Sequence, residues 1–174
     1  MLNFELILEM QKELDSKINN CRERTVKDIM ISFIAELVEW NETTDGSHKT
    51  WKHNTYTRSE QLEEWVDGLF FISQLFNIYF DEKVTIEQIK KFDYYTALKN
   101  DASNIQETII FNILNLNALG VITCDLLPDD LMIAYIVFSE KLGYTEEEIE
   151  EEYKRKHRIN LERINKKREN GGWK

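Results

Sequence analysis

The chain has 174 residues, 42% hydrophobic and 31% charged, with a formal net charge of −10; it is long enough for a proper core and ordinary for a soluble globular protein. One Pro and six Gly leave too few turn formers for an all-β fold, and the acidic balance argues against general nucleic-acid affinity, which needs a basic surface. No apolar run approaches the roughly 20 residues of a membrane span, and Glu5 and Glu9 break the N-terminal apolar stretch that a signal peptide would need.

Apolar residues recur at helical spacing almost throughout. From Leu2 to about Ile18, Leu6, Met10, Leu14 and Ile18 fall roughly on one face. A second helix, about Thr25 to Asn41, carries Ile29, Phe33, Leu37 and Trp40 as its stripe. Residues 43–57 lack periodicity and form a loop of about 15 residues, long enough to suggest a function. Thr57 with Glu60 makes a capping box for a third helix reaching about Phe80. Thr85 with Gln88 offers a similar start for a fourth, and residues 103–119 form another helical pattern closed by Gly120. Pro128 suits the first turn of a helix that runs to Leu142 and ends at Gly143. Thr145 with Glu148 opens a long, charged last helix. Cys21 and Cys124 have no CxxC spacing and read as small core residues rather than a zinc or disulfide pair, so a reducing cytoplasm is the expected setting. No repeat or linker divides the chain. The fold expected is all-α, one domain over residues 1–174 built as a bundle of about six helices.

Two acidic pairs stand out. Glu36-Leu-Val-Glu39 and Glu64-Trp-Val-Asp67 each place two carboxylates at i, i+3, on one helix face and about 5–6 Å apart at Cβ. A single such pair is common on any Glu-rich helix. Here both sit in the most hydrophobic parts of their helices, where like charges are destabilising unless a cation neutralises them. Four acids on neighbouring helices would offer the oxygen ligands that Mg²⁺ or Mn²⁺ prefers. A di-iron carboxylate bundle normally uses Glu-x-x-His, and His48, His53 and His157 do not stand at that spacing from these acids.

The last helix is cationic. Between Tyr153 and Lys174 there are nine Lys/Arg against two Glu, leaving 13 basic against 30 acidic residues on the rest of the chain. Lys156, Asn160 and Arg163 recur at i, i+4 and i+7 and share a face suited to phosphate oxygens. The same segment, residues 153–174, would also serve as a nucleic-acid arm, or as a solvated face paired with Glu150, Glu151 and Glu152 one turn upstream. Glu146–Glu152 reads as a solvated, helix-starting acidic face. Trp51, in the loop run Lys49-Thr50-Trp51-Lys52, has a ring able to stack on a base, and the amide of Gln11 both donates and accepts.

Taken in chain order, these residues resemble the dimeric, all-α dUTPase family, related to the MazG-type pyrophosphatases and common in bacteriophages. Met10-Gln11-Lys12-Glu13-Leu14 is similar to its first motif, and Phe33–Trp40 and Leu62–Asp67 to its paired magnesium motifs. Lys49–Lys52 is similar to the segment carrying a base-lining tryptophan. Tyr153–Arg163 resembles the C-terminal phosphate motif, followed by Gly171-Gly172-Trp173. The resemblance implies hydrolysis of dUTP to dUMP and pyrophosphate by a Mg²⁺-activated water, with Mn²⁺ a possible substitute. It implies metal ligation by Glu36, Glu39, Glu64 and Asp67, with Glu36 as general base. Lys156, Asn160 and Arg163 would hold phosphate, Gln11 and Trp51 the base, with Lys52 and Tyr153 nearby. The resemblance implies a homodimer too, with dUDP acceptance open, while charge and the short apolar runs point away from nucleic-acid and membrane partners. The alternatives are an all-α pyrophosphatase for another nucleotide such as dCTP or a modified nucleotide, and a non-catalytic helical module binding nucleic acid or a regulator.

Overall fold

The computed structural model describes residues 2–18, 22–79, 99 and 128–169. Every regular element among these described residues is an α-helix: α1 (Phe4–Lys17), α2 (Val26–Glu42), α3 (Arg58–Tyr79), α4 (Pro128–Lys141) and α5 (Glu146–Glu169). The all-α expectation holds, with boundaries shifted by one or two residues. The helices expected from Thr85 and over residues 103–119 lie outside the described residues, as do Cys21, Cys124 and Gly171-Gly172-Trp173.

The starts of the helices follow from local chemistry. Asn3 caps α1 through its side chain, which accepts from the Leu6 amide. Thr25 and Asp28 form a reciprocal capping box at α2. At α3 the Thr57 amide donates to Glu60 Oε2 at 2.7 Å while Thr57 Oγ1 accepts from the Glu60 amide. Thr145 and Glu148 repeat the arrangement before α5. Between α4 and α5, Gly143 takes φ +79, a left-handed turn that residues with a Cβ rarely adopt.

α3 is the hub: it packs on α1, α2, α4 and α5, and α1 also meets α5. Its residues from Leu62 to Phe76 are largely buried on all sides, as expected of a central helix. On one side Trp65 stacks on Tyr135 of α4 at 4.7 Å and its Nε1 donates to Ser139 Oγ at 2.7 Å. On another, Phe70 stacks on Tyr153 of α5 at 4.1 Å. This second stack fixes the register of α5. One turn beyond Tyr153 on α5 stands Lys156, and one turn before Phe70 on α3 stands Asp67, so the two are brought face to face. No helix among the described residues is long and apolar enough to cross a membrane.

Candidate metal and phosphate site

Glu64 and Asp67 share a face of α3, and Glu36 approaches them from α2. One carboxylate oxygen from each of Glu36, Glu64 and Asp67 lies within 4.8 Å of the other two. Close packing of α2 on α3 makes this possible. A Cβ at Gly68 would stand 3.2 Å from Phe33 Cε2, and Phe33 is itself buried. Without a side chain at 68, the two helices can sit near enough for their acids to converge.

The cluster is electrostatically unsatisfied. Burial pushes the Glu36 carboxyl up to about 7, helped by the negative charges of Asp67, Glu39 and Glu64 and opposed by Lys156. Burial and then Asp67 raise Glu64. Asp67 is raised by burial too, against the pull of its hydrogen bond to Lys156. Half-buried carboxylates at this spacing hold a proton or a cation more readily than they hold bare charge.

Lys156 supplies part of that compensation. Its Nζ lies 2.6 Å from Asp67 Oδ2 and donates to Glu63 Oε1 at 3.0 Å, with the residue only 8% exposed. Burial pushes the ammonium towards neutrality, but the bonds to Asp67 and Glu63 outweigh it and leave the group above its ordinary value. Arg155 reaches Glu63 Oε2 at 2.8 Å and also binds Glu152 through Nε and Nη2.

The remaining predicted residues are less tightly gathered. Glu39 is exposed and lies outside the converging trio, though its charge is felt by Glu36 and Glu64. Asn160 is half-buried and Arg163 exposed further along α5, with Arg163 Nη1 and Asn160 Oδ1 3.5 Å apart. Gln11 is 0% exposed, and its amide is engaged at both ends: Nε2 donates to Asp15 Oδ1 at 2.8 Å and Oε1 accepts from the Tyr153 hydroxyl at 2.9 Å. Tyr153 is thus a buried strut between α1, α3 and α5. Trp51 projects from the 43–57 loop at 74% exposure. Lys52 lines a cleft of about 270 Å³ in that loop, with Glu42, Lys49 and Tyr56.

Sequence reasoning missed Glu63. It sits beside the second acidic pair rather than within it, but its i, i+4 relation to Asp67 places it on the same face, a signal that spacing alone offered.

An all-oxygen nest of three acids, flanked by a lysine and an arginine-bearing helix, suits a hard divalent cation carrying a phosphate group. The search of curated proteins finds no match. A family model described as dUTPase matches residues 3–167, a span that takes in the acidic trio and the cationic face of α5, and the chain belongs to this all-α, dimeric dUTPase family.

Proposed function

We propose that Glu36, Glu64 and Asp67, with Glu39 beside them, hold the Mg²⁺ with which this dUTPase hydrolyses dUTP to dUMP and pyrophosphate. The observation that carries the proposal is the convergence of three half-buried carboxylates from α2 and α3 within 4.8 Å, where burial disfavours their bare charge. The donor set fits Mg²⁺, with Mn²⁺ a substitute, because it is all oxygen and leaves places for water and phosphate. Bound there, the cations would neutralise phosphate oxygens and lower the pKa of water.

The chain's own groups do the rest. Glu36, which faces the two α3 acids from α2, would orient the attacking water and take its proton. Lys156 lies where charge builds on the phosphate oxygens, and Arg163 and Asn160 extend the same face along α5. In-line attack asks little more of a protein than such placing. Gln11 and Trp51 contact the base; for Gln11 this requires its amide to exchange Asp15 or Tyr153 for the ring edge, and for Trp51 a swing of the loop inward. The active species is a homodimer.

Pyrophosphate release from a panel of dNTPs and NTPs, with and without Mg²⁺, tests the reading. Turnover confined to dUTP and abolished by EDTA is expected. Turnover that persists in EDTA would remove the metal from the mechanism, and preference for dCTP would remove the assigned base contacts.

A further inference from the structure

Glu63 belongs to neither acidic pair, yet it binds two cations of the basic helix beside the acidic cluster. Its two oxygens are divided between two cations: Oε1 accepts from Lys156 Nζ at 3.0 Å and Oε2 lies 2.8 Å from Arg155 Nη2. Arg155 is held in turn by Glu152, so the Glu63 carboxylate is oriented rather than free to rotate. Lys156 has a second partner, Asp67 Oδ2, at 2.6 Å. Asp67 also belongs to the trio that converges for a metal. A divalent cation and the Lys156 ammonium therefore compete for Asp67. An ammonium this buried is costly without a counter-charge, and when Asp67 is claimed, Glu63 is the carboxylate that remains to hold it.

We propose that Glu63 is a positioning residue: it keeps Lys156 at the rim of the acid cluster after cations occupy Asp67, aimed at the incoming phosphate. The proposal rests on the reading of Lys156 as a phosphate ligand. Lys156 needs such a tether because its four-carbon stem is flexible and its ammonium is a point charge with no preferred fork. Without Glu63, the ammonium either stays on Asp67, in the way of the metal, or leaves the site for water.

The test is a double-mutant cycle on the full chain with Glu63→Gln, Lys156→Met and the combined variant. Two properties are read: KM and kcat for dUTP at saturating Mg²⁺, and thermal unfolding in EDTA. Glu63→Gln should raise KM about five- to tenfold, as expected for loss of a charge-assisted hydrogen bond, with a much smaller change in kcat. It should also lower the unfolding temperature in EDTA, and both effects should largely disappear in the Lys156→Met background. Equal damage from Glu63→Gln in both backgrounds would overturn the tether while leaving Lys156 as a phosphate ligand, as would an unchanged KM in Glu63→Gln alone. A Lys156→Met variant with the parent KM would instead overturn the phosphate role itself, and the tether with it.

Discussion

Asp67 accepts Lys156 and, as proposed above, would offer its carboxylate to a cation, so its removal should separate folding from catalysis. Asp67→Ala deletes one of three mutually repelling, half-buried acids while leaving Lys156 paired with Glu63. Pyrophosphate release should fall by a factor on the order of 10³ or more, the scale for losing a group that stabilises transition-state charge, while the unfolding temperature in EDTA should hold or rise. A variant that keeps its activity would sink the ligand assignment. Glu36 makes a pH prediction. Its carboxyl is raised to about 7 in the folded state, against about 4.3 for a free glutamate, so the folded chain binds the extra proton. Its contribution to stability is complete below the unfolded value and is lost as pH rises through about 7. Because Glu36 is half-buried, solvent screening limits the effect to about 1–2 kcal/mol. Melting curves in EDTA from pH 4.5 to 8 should show the loss, Glu36→Gln should flatten it, and Mg²⁺ should offset it by binding the charged form. At this scale the paired acids were legible because i, i+3 spacing fixes which side chains share a helix face. The link from Glu63 to Lys156 was not, since the partners lie 93 positions apart and only the packing of α5 on α3 joins them.

Between helices, the site depends on two contacts that hold no charge. Gly68 lets α3 approach Phe33 of α2, and its replacement by Ala tests how tightly the acidic trio depends on that distance. Alanine favours a helix over glycine by about 1 kcal/mol, yet here its Cβ would meet a ring at 3.2 Å that is only 1% exposed, and overpacking typically costs about 1–3 kcal/mol. Gly68→Ala should therefore lower the unfolding temperature and raise the Mg²⁺ concentration needed for half-maximal activity; a variant as stable and as readily activated as the parent would show that Phe33 can give way. Tyr153 is the second contact. Phenylalanine keeps its stack on Phe70 but strands the buried Gln11 carbonyl, at a cost of about 1–3 kcal/mol, which thermal melting would register. The capped starts of α3 and α5 were readable because a capping box is written in four consecutive residues. The near-complete burial of α3 was harder to read: when apolar residues surround a helix, the one-sided stripe that marks a buried face disappears.

Across the whole molecule, charge is segregated. The formal −10 is the balance of a basic stretch from Tyr153 onward and a strongly acidic remainder, and the structure folds part of that stretch back onto the acids that most need it, at Lys156 and Arg155. Composition showed the segregation but left two uses for the basic segment, as an arm for nucleic acid or as half of a site. The ion pairs to Glu63 and Asp67 favour the second use. Self-association is the property left to argue at this scale. α2 carries Glu36 on one side and, on another, Ile31 at 53% exposure and Val38 at 37%, with exposed Ala35 between them at helical spacing. Burying one such aliphatic side chain is worth about 1.5–3 kcal/mol, and an isologous interface would count each contact twice. If this stripe lies in the homodimer interface, Ile31→Lys places a charge in it on both subunits at once. Light scattering behind size exclusion should then give the parent twice the 20.8 kDa chain mass and the variant a mass near that of one chain. The acidic trio is built within one chain, so the variant should still bind Mn²⁺. A parent that runs at 20.8 kDa would refute the homodimer, whereas a variant that remains dimeric would move the interface off this face of α2.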